Sequence, residues 1–264
     1  MQLVDSHCHL NMIDLKKFDA SLDNVISQAD DNQVSHILNI SVNLTTFPEI
    51  LATAKQYQQV YATVGIHPCY DEEPETSVEE LYQLAQDDKV IGIGECGLDY
   101  HMNNGDDPKG QNFAWQRDRF ATHIQAAKKA QMPLIIHTRD AIDDTLDIMR
   151  SENAGEAGGI MHCYVEDVEN AKKAMDLGFM ISFSGIVTFK NAKQLHEVAK
   201  IVPDDKMLIE TDSPYLAPMP YRGKGNQPAY VLHVAEHLAA LRDTTVEHIA
   251  NVTRNNYLQL FGLN

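Results

Sequence analysis

Basic residues, cysteine and long apolar runs are all scarce in this chain of 264 residues, and each shortage closes off a class of protein. Lysine and arginine total 21 against 38 aspartates and glutamates, a formal net charge of −17. So acidic a chain repels polyanions at long range, which argues against tight non-specific binding to duplex nucleic acid. It leaves room for chemistry on a phosphate inside a locally positive pocket. No stretch approaches the roughly 18 apolar residues of a membrane span, and no basic-then-apolar leader precedes "LVDSH" at residues 3–7. The expectation is a soluble, cytoplasmic protein. Four cysteines, Cys8, Cys69, Cys96 and Cys163, include no C-x-x-C pair and are too few and scattered for a disulfide framework. Each lies within two residues of a histidine or glutamate that matters below. Strand alternation is expected to turn them away from those neighbours, to pack as small apolar groups between strand and helix.

Apolar residues make up 44% of the chain, enough for a large core. Eight β-rich runs can be picked out, at 2–7, 34–42, 60–67, 90–99, 133–139, 158–164, 179–185 and 206–212. Amphipathic stretches separate them, with stripes such as Phe120, Ile124 and Ala127, or Tyr230, Val234 and Leu238. Parallel neighbours need crossover helices, so this alternation predicts an α/β fold. Eight strands close a TIM (β/α)8 barrel, and residues 1–264 suit one such barrel as a single domain. The competing doubly wound sheet would show G-x-G-x-x-G after its first strand, and none is present. Two long irregular segments, 100–116 and 213–228, follow strands and so belong on the C-terminal face, where active sites of this barrel sit.

That face is also where the chemistry gathers. In "VDSHCHL" (4–10), His7 and His9 share one side of a strand while Cys8 takes the other. Further runs end at His67, Glu95, His137, His162 and Asp212. Seven imidazoles and carboxylates at strand ends are costly to bury without partners, and a divalent ion supplies them. Histidine-plus-carboxylate shells suit zinc, manganese or similar ions, while magnesium prefers oxygen. Six candidates, His7, His9, Glu95, His137, His162 and Asp212, are too many for one open catalytic ion and suggest two. Glu95 can bridge them through its two oxygens, and Asp212 can bind one ion and orient the attacking water. Two cations about 3.5–4 Å apart would hold a hydroxide between them, with water ionising near pH 7. Two carboxylates and two divalent ions leave the pocket at about +2 in an acidic protein. "RGKGN" adds Arg222 and Lys224 for phosphate, and Arg139, two residues past His137, points the same way along its strand.

The motifs "DSHCHL", "GIHP", "GECGLDY", "PLIIHTRDA", "MHCY" and "ETDSPYLAP" with "RGKGNQP", spread over residues 4–228, resemble the TatD family of metal-dependent hydrolases. The family's usual "GEIGLDY" or "GETGLDY" reads "GECGLDY" here, a change beside the glutamate and not at it. The resemblance implies an amidohydrolase-type TIM barrel and metal-dependent deoxyribonuclease activity, often 3′→5′ exonucleolytic on single strands. It carries His7, His9, Glu95, His137, His162 and Asp212 over as metal ligands, and places His67 near the site.

These readings lead to hydrolysis of DNA phosphodiesters by an enzyme with two divalent ions (Zn, Mn or Mg), Glu95 and Asp212 being catalytic. His67, Arg139, Arg222 and Lys224 are the candidate substrate contacts. DNA ends or short oligonucleotides are the expected partners, with no membrane and no obligate protein partner, the chain acting as a monomer. Salt should weaken binding less steeply than for a basic-groove protein. Two alternatives stand beside this one: a small-molecule amidase or esterase on the same site, or a D-aminoacyl-tRNA deacylase, as some proteins of this family are described. Amide-cleaving relatives of the fold often bridge their ions with a carboxylated lysine, whereas the strand-four residue here is Glu95. A non-catalytic metal scaffold is the third reading, and the full ligand set weighs against it.

Overall fold

Eight strands pair in chain order, every neighbouring pair parallel: β1 (Leu3–Cys8), β2 (Val34–Asn39), β3 (Val60–Val64), β4 (Val90–Asp99), β5 (Leu134–Arg139), β6 (Gly159–Met161), β7 (Phe179–Phe183) and β8 (Met207–Ile209). The computed structural model describes residues 1–18, 21–110 and 112–263, with backbone only for Asn103 and Asn104. Helices connect the strands: α1 (Leu22–Asp31), α2 (Phe47–Gln56), α3 (Val78–Leu84), α4 (Ala114–Ala130), α5 (Ile142–Ser151), α6 (Val168–Asp176), α7 (Lys193–Ile201) and α8 (Val231–Leu241), followed by α9 (Val246–Phe261). This is the expected TIM barrel. Local sequence sets the helix ends: Asp167 and Thr245 accept backbone N–H bonds at the starts of α6 and α9, and Gly262 takes the left-handed turn that stops α9.

Strand alternation divides the core. Outward residues such as Leu3, Ile37, Leu134, Ile136, Met161 and Ile209 pack against helix residues including Ile26, Ile50, Phe120, Ile124, Val198 and Val234. Cys8 and Cys96 belong to that layer, as expected. Inward residues Val4, Leu38, Ile91, Ile135, Ile160, Met180 and Leu208 fill the lumen, where Tyr257 of α9 joins them and Leu258 and Phe261 pack alongside. Each fully buried aliphatic side chain contributes about 2 kcal/mol.

The barrel closes between β8 and β1 by a different means from its other seams. Only one bridge, Cys8 to Ser213, links these strands among the described residues. Side chains of β1 complete the seam: Ser6 Oγ donates to Ile209 O at 3.0 Å, and the Asp5 carboxylate accepts from Thr211 N at 2.8 Å and Thr211 Oγ1 at 2.6 Å. The seam leads directly to the polar end of the lumen.

Candidate metal centre

Two-residue steps along single strands carry the chain from the apolar lumen into a polar cluster: Ile135 to His137, Ile160 to His162, and Leu208 through Glu210 to Asp212. Several of the polar residues lie past the strand ends, because the chain must bend to aim them. His9 follows β1, His67 comes three residues after β3, His162 follows β6, and Asp212 comes three after β8 with φ at +54°. Glu95 instead sits inside β4. Two residues on, a Cβ at Gly97 would meet His137 O at 2.0 Å, so only glycine lets β5 approach closely enough there. Bonds across the seam hold the first cluster, with Asp212 N donating to His7 O at 2.9 Å and His9 N to Ser213 O at 2.7 Å.

Three ligand atoms gather around His7 Nε2. His7 Nε2 lies 3.3 Å from His9 Nε2, 3.4 Å from Glu95 Oε2 and 3.6 Å from Asp212 Oδ1. His9 Nε2 lies 3.5 Å from Asp212 Oδ1 and 3.8 Å from Glu95 Oε2. A tetrahedron with bonds of about 2.0–2.2 Å has edges of about 3.3–3.6 Å, close to the spacings around His7 and His9. His7, His9 and Glu95 form one group able to hold a metal, and His7, His162 and Asp212 another. The other oxygen of Glu95 faces a second set, with Oε1 at 2.9 Å from His162 Nε2, 3.2 Å from His137 Nδ1 and 3.4 Å from His67 Nε2. His137 Nδ1 and His162 Nε2 are 3.5 Å apart. All six expected ligands are thus brought together, and their groupings are able to hold metal.

Two further carboxylates, which the sequence analysis did not single out, orient these rings. Asp99 Oδ2 lies 3.0 Å from His137 Nε2, and Glu210 Oε1 lies 3.2 Å from His162 Nδ1. Each turns the opposite nitrogen toward Glu95, the familiar carboxylate–histidine–metal relay. A buried imidazole needs a partner for its second nitrogen, and that need was the available signal. The partner's position was not, since it lies 38 or 48 residues away. Asp5 was also missed; its hold on Thr211, together with Asn226 Nδ2 donating to Thr211 O at 2.8 Å, fixes the backbone just before Asp212.

Burial opposes ionisation of Glu95, but the surrounding His67, His162 and His7 hold its pKa well below the usual range. Asp212 is likewise lowered against burial, by His9 and His7. Burial works against the charged form of His162, yet Glu95 and Glu210 raise its pKa well above the ordinary value. Burial lowers His7 and takes His67 down to about 3. His67 is therefore neutral. Its Nδ1 accepts from Cys69 N at 3.0 Å, so Nε2 carries the proton and points as a donor at Glu95 Oε1.

The expected cationic contacts lie further out. Arg139 is exposed at the end of β5. Arg222 is exposed with its guanidinium 4.2 Å from the centre of the Phe189 ring, and exposed Lys224 has Nζ 5.9 Å from that of Tyr221. No carboxylate pairs with any of the three among the described residues. Of the long segment 100–116, Gln111 lies outside the described residues. Two cysteines depart from expectation: Cys69 is half-buried near the Asp99 carboxylate, whose pKa it helps to lower, and Cys163 Sγ lies 3.2 Å from Ser184 Oγ.

An eight-stranded barrel with a two-sided glutamate among buried histidines at its C-terminal end is the architecture of a metallohydrolase. The family model described as TatD related DNase matches residues 4–262, and the chain belongs to that family. It is 43% identical over 263 residues to the metal-dependent hydrolase YcfH of Escherichia coli K12, covering 100% of this chain and 97% of the relative. It is 29% identical over 253 residues to the 3′-5′ ssDNA/RNA exonuclease TatD of Shigella flexneri, covering 94% and 95%. The crystal structure of YJJV, a TatD homologue from E. coli K12, superposes with a TM-score of 0.89 at 27% identity over 99% and 98% of the two chains. The chain is a metal-dependent hydrolase. No helix among the described residues is long and apolar enough to cross a membrane.

Proposed function

We propose that this hydrolase cleaves phosphodiester bonds of DNA, removing nucleotides from the 3′ ends of single strands and short oligonucleotides. The observation that carries the reading is Glu95, whose two oxygens face two separate sets of ligand atoms. His7, His9 and Asp212 would hold one divalent ion and His137 and His162 a second, with Glu95 between them. Such ions, whether Zn, Mn or Mg, supply Lewis-acid stabilisation of the phosphate and bring the pKa of water down to about 7.

The chain's own residues do the rest. Asp212, kept anionic by its histidine neighbours, orients the attacking water and receives its proton at a carboxylate oxygen. His67, neutral with its proton on Nε2 and donating to Glu95 Oε1, can turn that donor to a non-bridging phosphate oxygen when substrate binds at the edge of the cluster. Arg139, Arg222 and Lys224, without carboxylate partners among the described residues, draw the phosphate chain toward this face. The description of the family and the name of the Shigella relative support the same substrate class.

Single-stranded DNA labelled at its 5′ end tests the proposal, incubated with Mg²⁺ or Mn²⁺, with EDTA, and beside Asp212→Asn. A ladder shortening one nucleotide at a time, dependent on metal and absent in the variant, is the expected result. Intact DNA in every lane with metal-replete protein overturns it.

A further inference from the structure

Two tyrosines flank the metal cluster, and neither serves the barrel core. Tyr215 follows Asp212 by three residues. Its backbone is pinned on both sides, with its N–H donating to Asp212 O at 2.9 Å and its carbonyl accepting from Asn226 Nδ2 at 2.6 Å. The side chain is nonetheless 53% exposed, and its ring stands edge-on to His9 with centroids 6.1 Å apart. Tyr70, three residues after His67, stands edge-on to that histidine with centroids 6.3 Å apart. Burial, and next the neighbouring Tyr215, raise the pKa of Tyr70. Tyr70 lines a cavity of about 590 Å³ together with Asn43, Thr45, Cys69, Asp71, Glu72 and Glu73.

A lone exposed tyrosine needs no explanation. This one stands beside a histidine of the ligand cluster on a backbone held by two hydrogen bonds, and Tyr70 stands beside another histidine that faces Glu95. A substrate whose reacting bond lies at Glu95 and Asp212 has both rings within reach. Three carboxylates along the cavity repel a phosphate, whereas an uncharged, flat, polarisable ring is not repelled and gains from stacking. Arg139 ends β5, and Arg222 and Lys224 follow Tyr215 on the loop after β8; none of the three lines the cavity, which leaves it to the base while they take the phosphate chain.

We propose that Tyr215, with Tyr70, is the platform on which the nucleobase of the terminal nucleotide stacks, the base entering the cavity beside Tyr70. The assignment rests on the nuclease reading and adds a base-binding subsite to it. Stacking without hydrogen-bond readout makes the enzyme tolerant of base identity but dependent on a base being present.

The experiment compares single strands ending in a 3′ thymidine or a 3′ abasic nucleotide, with wild type, Tyr215→Ala and Tyr215→Phe. Quenching of 2-aminopurine deoxynucleoside monophosphate is read in parallel and needs no cleavage. Wild type should show a KM about tenfold lower for the thymidine end. Tyr215→Phe should keep that preference, and Tyr215→Ala should bring the two substrates to equal KM and lose the quenching. A wild type indifferent to the missing base, or a Tyr215→Ala variant that keeps preference and quenching, overturns the subsite while leaving the nuclease reading intact. Quenching that depends on Tyr215 without any DNA cleavage supports the subsite and overturns the nuclease reading instead.

Discussion

The two ends of the barrel lumen solve opposite problems with the same strands. At one end Leu38, Ile91, Ile135, Ile160 and Leu208 meet Tyr257 of α9, and removal of apolar surface from water is all that end requires. At the other, buried imidazoles and carboxylates crowd to within 2.9–3.8 Å of one another, and His7 Nδ1 and His9 Nδ1 find no hydrogen-bond partner among the described residues. Packing holds the first end together although the buried Tyr257 hydroxyl finds no hydrogen-bond partner among the described residues. The second is complete only with cations, because converging lone pairs repel until something positive sits between them. The comparison locates stability and chemistry in separate layers of one tube, so each should be breakable without the other.

The largest effect expected is at the polar end. Glu95→Gln removes the charge that faces both ligand sets, and turnover should fall by about 10³-fold or more while the fold persists. Circular dichroism and metal content measured on the same sample check this; a well-folded variant retaining turnover breaks the division. The converse is Tyr257→Ala, which hollows the apolar end and should cost about 3–5 kcal/mol in urea unfolding. Its kcat, measured well below the unfolding midpoint, should stay within about twofold of wild type, since Tyr257 belongs to the opposite end of the lumen.

A histidine buried outside the lumen sharpens the contrast. His123 on α4 accepts from Ile66 N at 3.0 Å through Nε2 and faces Arg119 O at 2.8 Å with Nδ1. Both nitrogens have backbone partners, and the ring needs no cation. Burial lowers its pKa to about 4. The unfolded ring, with a pKa of about 6.5, binds more protons between those values, so stability is full above about pH 6.5 and declines as pH falls toward 4. The decline from this ring should approach 3 kcal/mol. Urea unfolding at several pH values, with the His123 ring followed by NMR, reads it; a ring titrating near 6.5 in the folded protein contradicts it. Smaller still are Asp99→Asn and Glu210→Gln, which leave every ligand in place but release His137 or His162 to turn. Each should cost about 10–100-fold in metal affinity, measured by competition with a chelator.

All eight strands were legible in the sequence because each is an apolar run bounded by polar residues, and so was the position of the ligands at one end of the barrel. Strand ends were less so. The runs at 158–164 and 206–212 shrink to Gly159–Met161 and Met207–Ile209, because the chain leaves the ladder to aim His162 and Asp212, passing through positive φ at Cys163 and Asp212. Asp99, Glu210 and Asp5 were not recognised, since a carboxylate that orients a histidine or clamps a backbone acts across the barrel and leaves no local spacing. The loop "RGKGN" reads as basic, but its local sequence does not reveal that Arg222 lies against Phe189.

The central claim is that Glu95 stands between two ions. Crystals grown with Mn²⁺, with anomalous scattering collected at the manganese edge, test it most directly. The account predicts two peaks about 3.5–4 Å apart, one among His7, His9 and Asp212 and one beside His137 and His162, joined by the Glu95 carboxylate. One peak alone at saturating metal, or two that do not share Glu95, would contradict it.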